Sequence, residues 1–379
     1  FSLLKKAFDY NSIQIQPNQK YYSKDIALCK ALNNRNKTID FCHIKYEKRI
    51  SSNNTGRDIL FCLPPKFGLG DSIEYCVAIK SLIKSKKFNK VGVAFCDTHS
   101  YIFKNLFLLS NVYPLIISEE EIKKYDNVFH ITLEIKSLKF QKYKRSDIAE
   151  EICKHFGITC IDFKLNQSFK TSNYRKTISV FPLSTSTIRT LPFKVINEII
   201  KNFENDYKIK IFIDDSHISK NFQAYNTNNN IMFKKPKNVE ELILEISKTY
   251  FGVFVDSGPL HLAKIFNKNG VLIETSVDAK ILLRNAKNIF SVKNLYKSNY
   301  CNGPCGLVDI FAFENNIGCY ETHKIDFAKI KSLKSYKNLQ RWNKKENNSH
   351  FILNPVECIK KIDVKNIIEL IKVKLKEIK

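Results

Sequence analysis

The chain has 379 residues, of which 44% are hydrophobic and 12% aromatic, so it is a globular protein long enough for two domains and not a disordered one. Its formal net charge is +25, from 62 Lys and Arg against 37 Asp and Glu. Only eight residues are Arg, and the basic residues are scattered without interleaved aromatics, so we expect no nucleic-acid partner. An anionic membrane surface or an acidic glycolipid suits the charge better.

The hydropathy and cysteine content limit the cellular setting. No apolar run approaches the roughly 18 residues of a membrane span, and the run at Phe1–Leu4 is too short for a signal peptide. Eleven cysteines do not make a disulfide scaffold in a chain this long. We therefore expect a cytoplasmic protein, with peripheral contact at the inner face of the membrane left open.

The first half of the chain predicts an alternation of strands and helices. Residues 1–57 show weak periodicity and are assigned to an N-terminal extension. From Asp58 onward, strands are predicted over Ile59–Leu63, Val91–Phe95, Pro114–Ile117, Val128–Ile131 and near Cys160–Phe163, with helices after Asp71, over residues 101–109 and over Asp147–Phe156. This alternation is typical of a parallel, doubly wound sheet, so residues 58–172 are predicted to form a Rossmann-like domain.

The pattern restarts after a polar segment at residues 166–173. Strands are predicted over Thr177–Phe181, Ile209–Ile213, Phe251–Val255 and Val271–Ile273, with helices over Phe193–Phe203, over Val239–Ile246 and after Gly258. Residues 173–355 are thus a second Rossmann-like domain, and the fold class is α/β with two such domains facing a cleft. Residues 356–379 carry a basic amphipathic helix, expected to pack back on the body; membrane contact is the alternative.

Two strand ends in the second domain carry groups that suit a phosphate ligand. Asp256, Ser257 and Gly258 follow a buried strand and begin a helix, where free N–H groups favour anions. Ser184 and Thr185 follow another strand, with Arg189 nearby, and hydroxyls with a guanidinium suit a diphosphate.

Two further residues, one in each domain, have more than one interpretation. His261 could donate to a phosphate or be a structural histidine, and the residues leave this open. In the first domain, Gly68, Leu69, Gly70 and Asp71 form the turn before a helix, without the spacing of a dinucleotide-binding fingerprint. Asp71 could deprotonate a hydroxyl as a general base, or it could only cap the helix.

Four segments in order resemble a known family. Residues 255–263 are similar to the D-[TS]-G-x-x-H-L-A signature of glycosyltransferase family 9, the heptosyltransferase-like enzymes of lipopolysaccharide core synthesis. Residues 68–71 resemble the family's glycine–aspartate turn, and residues 182–192 its proline-bounded Ser/Thr loop, with Arg189 in place of the usual Lys and Leu191 in place of the usual Trp. The cysteines at 301, 305, 319 and 358 resemble its C-terminal cysteine pattern.

The resemblance implies a B-type glycosyltransferase fold and a metal-independent, inverting transfer without a cofactor. The donor would be an ADP-sugar and the acceptor a hydroxyl of a saccharide or glycolipid. Asp71 matches the family's general base, with Gly68 and Gly70 in the acceptor-side turn. The matches to the donor-phosphate contacts are Ser184, Thr185, Arg189, Asp256, Ser257, Gly258 and His261.

Three questions stay open at this point. The acidic residue that holds the ribose in this family has only shifted counterparts here, Asp214 and Asp215, so a UDP- or GDP-sugar is an alternative donor. A noncatalytic nucleotide-sugar-binding module is a further alternative. The spacing C-x₃-C-x₁₃-C-x₃₈-C could bind zinc, although reduced cysteines packed in the interior are the default.

Overall fold

In the computed structural model, the chain divides into two compact units. The structure describes residues 8–10, 13–15, 21–23, 58–65, 67–96, 99–131, 147–165, 176–184, 187–213, 230–298, 302–306 and 355–378. Unit 1 comprises Phe1–Ile135 and Ile148–Ile161, and unit 2 comprises Lys136–Asp147 and Asp162–Lys379. The predicted linker at 166–173 lies outside the described residues.

Unit 1 is built on a four-stranded parallel sheet. Its strands are β4 (Ile59–Cys62), β5 (Val91–Phe95), β6 (Val112–Pro114) and β8 (Asn127–His130), in the order β6-β5-β4-β8. Short antiparallel pairs join β1 (Phe8–Tyr10) to β2 (Ile13–Ile15) and β3 (Tyr21–Ser23) to β7 (Ile116–Ser118). The helices in its described residues are α1 (Leu69–Ser85), α2 (Glu119–Lys123) and α3 (Ile148–His155), with a π-helical turn at Ile102–Leu106.

Unit 2 is built on a six-stranded parallel sheet. Its strands are β9 (Thr177–Phe181), β10 (Lys208–Phe212), β11 (Ile231–Lys234), β12 (Phe251–Phe254), β13 (Asn269–Ile273) and β14 (Ile289–Val292), in the order β11-β10-β9-β12-β13-β14. The helices that the structure describes in this unit are α4 (Phe193–Phe203), α5 (Val239–Ser247), α6 (Gly258–Ile265), α7 (Ala279–Leu282), α8 (Glu357–Lys360) and α9 (Val364–Ile378). Two parallel sheets with helices confirm the α/β class.

The C-terminal helix α9 packs on unit 2. It contacts α4, β13 and β14. Its apolar stripe, Ile367, Ile368, Ile371 and Leu375, is buried in the same core as the central strands. Burying each such side chain contributes about 1.5–3 kcal/mol, so this face holds the helix to the sheet.

The opposite face of the unit 2 sheet carries a ladder of aromatic rings. Phe181 stacks on Phe212 with ring centroids 4.2 Å apart and on Phe254 with centroids 5.2 Å apart. Two glycines make room for the ladder, because a Cβ on Gly252 would lie 2.0 Å from the Phe254 ring. A Cβ on Gly270 would lie 2.3 Å from the Gly252 carbonyl oxygen.

The sequence prediction was wrong in two segments and incomplete in others. The single strand predicted over Pro114–Ile117 is divided between β6 and β7, which belong to different sheets. Residues 160–163 form no strand, because the Ile161 N–H donates to the Ser81 hydroxyl at 3.1 Å instead of to a neighbouring strand. The elements that were not predicted are the helices α2, α7 and α8 and the strands β1, β2, β3, β11 and β14. In β11 and β14, Met232 and Phe290 are 55% and 37% exposed, so these strands lack the continuous buried run of the central ones.

In the part of the chain that the structure describes, none of the helices is both long and apolar enough to span a bilayer.

Candidate nucleotide-sugar site

The centre of the unit 2 sheet is the place where its strand order reverses. The chain runs outward from β9 through β10 to β11, returns to the centre, and runs outward again from β12 through β13 to β14. Open parallel sheets bind ligands in the crevice outside the carboxyl ends of the two strands at such a reversal. Here these strands are β9 and β12, which pair in parallel. The sequence-predicted donor residues follow these two strands.

An ion pair joins the two strand ends. The Arg189 Nη1 atom donates to Asp256 Oδ2 at 3.1 Å and to the Asp256 carbonyl oxygen at 3.4 Å. The two side chains are 14% and 6% exposed, so the pair is largely desolvated. Both residues were predicted to lie in one site, but their contact with each other was not predicted.

The loop after β9 is held by its own hydrogen bonds. The Leu191 N–H donates to the Pro182 carbonyl at 2.9 Å and closes the loop at its base. The Ser184 N–H donates to Thr190 Oγ1 at 3.1 Å, and that hydroxyl donates back to the Ser184 carbonyl at 3.4 Å. Ser184 is therefore fixed at this strand end, and Thr185 lies outside the described residues.

The start of α6 offers an N–H group to a ligand. Ser257 is the extended residue before the helix, but its hydroxyl donates to the Val255 carbonyl at 3.3 Å and does not cap the helix. Pro259 has no N–H, which removes one of the free donors of the first turn. The Gly258 N–H makes no hydrogen bond to any residue in the described ranges. His261 is half-buried one turn into the helix and has a partner in the protein.

Asp71 occupies the equivalent place in unit 1. The strand order of unit 1 reverses at β4, and Asp71 is the third residue of α1, the helix that follows β4. Its Oδ2 atom accepts the Gly68 N–H at 2.9 Å, which is one half of a capping box. Gly70 lies beside it in the same first turn. Asp71 therefore does cap the helix, and its other carboxylate oxygen, Oδ1, accepts no hydrogen bond from the described residues.

Two residues that the sequence analysis missed lie within reach of the Asp71 charge. The side chain of Tyr75 follows one helical turn later, is fully buried, and leaves its hydroxyl without a hydrogen-bond partner among the described residues. Burial raises the pKa of Tyr75, and the negative charge of Asp71 adds to this effect. The i, i+4 spacing from Asp71 could have identified Tyr75.

The second missed residue is His99, which follows β5, the strand next to β4. Its ring is half-buried and packs against Phe67, with centroids 5.5 Å apart. Burial lowers the pKa of His99, and the Asp71 charge acts in the opposite direction. Only the order of the strands brings His99 close to Asp71, so no local sequence signal could have found it.

The cysteine pattern is described in part. Cys305 and Cys358 are half-buried, whereas Cys301 and Cys319 lie outside the described residues, as do Asp214 and Asp215. Within the described ranges, no group of three or more His, Cys, Asp or Glu side chains could hold a metal ion.

Solved structures resemble the chain over most of its length. The crystal structure of a family 9 glycosyltransferase from Veillonella parvula DSM 2008 covers 86% of this chain and 100% of its own, with a TM-score of 0.54 and 10% identity. The iron-containing dodecameric glycosyltransferase TibC from enterotoxigenic E. coli H10407 covers 86% of this chain and 78% of its own, with a TM-score of 0.51 and 11% identity. The chain has the fold of these glycosyltransferases.

The B-type glycosyltransferase fold implied by the sequence resemblance is thus confirmed. TibC in complex with ADP-D-β-D-heptose also matches, with a TM-score of 0.54, 12% identity, and coverage of 86% of this chain and 78% of its own. No protein-family model matches the sequence, and no curated protein matches it either. At this level of identity the likeness establishes the fold, and the activity has to be argued from the residues.

Proposed function

We propose that the chain is an inverting, metal-independent glycosyltransferase. It would move a heptose-like sugar from an ADP-linked donor to a hydroxyl of a saccharide or glycolipid. The observation that carries this proposal is the convergence of Ser184, Arg189, Asp256, Ser257 and Gly258 at the reversal point of the unit 2 sheet. These five positions also match the donor contacts of the family that the sequence resembles.

Unit 2 is assigned to the donor. The diphosphate would lie against the N–H group of Gly258 at the start of α6, where the helix dipole favours negative charge. The hydroxyls of Ser184 and Thr185 and the imidazole of His261 would donate further hydrogen bonds. The Ser257 hydroxyl would have to leave the Val255 carbonyl to do the same. The guanidinium of Arg189 would offset the charge that grows on the diphosphate as the bond to the sugar breaks.

Unit 1 is assigned to the acceptor. Oδ1 of Asp71 would take the proton of the acceptor hydroxyl, since Oδ2 is engaged by the Gly68 N–H. The acceptor oxygen would form a bond to the anomeric carbon from the side opposite the departing group, which inverts the configuration. The bond from that carbon to the phosphate oxygen would break, and the nucleoside diphosphate would leave with the electron pair. A diphosphate is stable as an anion, so no strong general acid is required.

A thermal-shift panel of ADP, UDP and GDP, each alone and as its sugar conjugate, tests the donor assignment. A ligand at about 100 times its Kd stabilises the folded state by about 2.7 kcal/mol, which is readily detected. We expect ADP and ADP-heptose to raise the unfolding temperature. Stabilisation by UDP or GDP instead would identify a B-type transferase with another donor.

Two other outcomes would refute the enzymatic proposal. Binding of an ADP-sugar without ADP release in the presence of any core saccharide would indicate a noncatalytic nucleotide-sugar-binding module. Affinity for DNA or RNA that falls steeply with salt, with no competition by ADP-sugars, would indicate a nucleic-acid-binding protein.

A peripheral contact with an anionic membrane is part of the proposal, because a glycolipid acceptor would lie in that membrane. Cosedimentation of the protein with anionic vesicles tests this contact.

A further inference from the structure

The Arg189–Asp256 ion pair has a consequence for the role of Asp256 at the donor site. A carboxylate placed against a diphosphate repels it, so direct contact between Asp256 and the phosphates would weaken binding. Asp256 instead provides two acceptors, its Oδ2 and its carbonyl oxygen, to a single nitrogen of Arg189. Its side chain is 6% exposed, which leaves little of it for a ligand to reach.

Arg189 needs such an anchor because its own segment is short. It ends a single 3₁₀ turn, Thr187–Arg189, whereas Asp256 lies two residues after the end of the central strand β12. A long, flexible side chain that is immobilised before the ligand arrives does not lose that freedom on binding. The pair therefore holds the guanidinium beside the start of α6.

We propose that Asp256 is a positioning residue, which holds the Arg189 guanidinium at the reversal point of the sheet and does not itself touch the diphosphate. This inference rests on the proposed donor site and changes one of its assignments. Asp256 would act on the ligand only through Arg189. Removal of Asp256 would then matter only while Arg189 is present.

The chain contains a closely matched control pair. In the same unit, Arg284 Nε contacts Asp147 Oδ2 at 3.0 Å, and the two side chains are 15% and 5% exposed. The chemistry and burial match those of the Arg189–Asp256 pair. Arg284 follows α7 on the way to the amino end of β14, so the control pair is away from the carboxyl ends of the strands.

The test is a double-mutant cycle with ADP as the probe, measured by isothermal titration calorimetry on the full chain. The variants are Arg189→Ala, Asp256→Ala, their double variant, Asp256→Asn and Asp147→Ala. We expect each single alanine variant at the donor site to weaken ADP binding about tenfold. This factor is near the lower end of the range for the loss of a hydrogen bond to a charged group. In the Arg189→Ala background, Asp256→Ala should change the affinity less than twofold. Asp256→Asn keeps an acceptor for Arg189 and should bind ADP within about twofold of the wild type.

Several results would overturn the inference. Additive losses from the two alanine variants, or a loss in Asp256→Asn as large as in Asp256→Ala, would mean that Asp256 touches the ligand. An unchanged affinity in Asp256→Ala would mean that Arg189 needs no anchor. Equal weakening by Asp147→Ala would mean that lost stability, and not lost positioning, is responsible. Absence of ADP and pyrophosphate binding by the wild type would instead refute the donor site itself.

Discussion

Replacing Asp71 with Asn separates its two roles in unit 1. Asn keeps an oxygen that can accept the Gly68 N–H, now held at 2.9 Å, but it cannot take a proton. General bases contribute about 10²–10⁴-fold to rate, so the substitution should raise the barrier by about 2.7–5.5 kcal/mol. The helix loses only the favourable interaction of a charge with its first turn, about 0.3–1 kcal/mol. Asp71→Ala would also lose the cap, about 1 kcal/mol more.

The assay is ADP release from ADP-heptose with a panel of lipopolysaccharide core saccharides, next to calorimetric ADP binding. We expect Asp71→Asn to lose at least 99% of turnover. Its ADP affinity and unfolding temperature should stay close to those of the wild type. Asp126→Asn is the matched control, because Asp126 Oδ2 accepts the Asp58 N–H, also at 2.9 Å. These two residues precede β8 and β4, so this bond lies at the amino ends of the strands, whereas Asp71 follows the carboxyl end of β4. Wild-type turnover by Asp71→Asn would refute the general-base assignment, and an equal loss in Asp126→Asn would attribute the effect to the fold.

Three further substitutions probe the two units. Tyr75→Phe should raise the free energy of unfolding by about 1 kcal/mol, because the buried hydroxyl has no hydrogen-bond partner among the described residues. A lower free energy of unfolding for the variant, measured with denaturant, would contradict this. Gly270→Ala should destabilise unit 2 by about 1–3 kcal/mol or more, because its Cβ would meet a backbone oxygen at 2.3 Å; unchanged thermal unfolding would refute the close approach. Burial lowers the pKa of His99 in the folded state below the usual histidine value of 6.5. As pH drops through 6.5, the imidazole is protonated more readily in the unfolded state than in the folded state. The free energy of unfolding therefore falls. His99→Asn should flatten this part of the pH–stability profile, and an identical profile in the variant would exclude His99 as its source.

The sequence predicted the central strands best because they are buried on both faces. Val91–Phe95 and Thr177–Phe181 are short apolar runs that are fully buried, and their bounds were predicted without error. The strands β11 and β14 were missed because they lie at the edges of the unit 2 sheet, where one side chain or more faces solvent. An edge strand has fewer apolar neighbours, so its sequence carries a weaker pattern.

The candidate site was predictable as a set of residues but not as a set of contacts. Strand ends that begin helices are visible in the sequence, which is why Arg189 and Asp256 could be predicted to lie in one site. Their ion pair spans 67 positions and depends on which strands are neighbours. The proximity of His99 to Asp71 likewise depends on the pairing of β4 with β5. Strand order is a tertiary property that local periodicity does not contain.

The pairing of β9 with β12 also bears on how unit 2 folds. These strands are separated in sequence by β10, β11, α4 and α5, so their contact requires the closure of a long loop, which is slow relative to local helix formation. A partly folded chain in which β9 and β12 have not yet paired would have an incomplete donor site, because the segments after these two strands would not lie side by side. A nucleotide bound there would therefore stabilise only the completed sheet. Amide hydrogen exchange should slow upon binding along all the central strands and not only at the residues that touch the ligand.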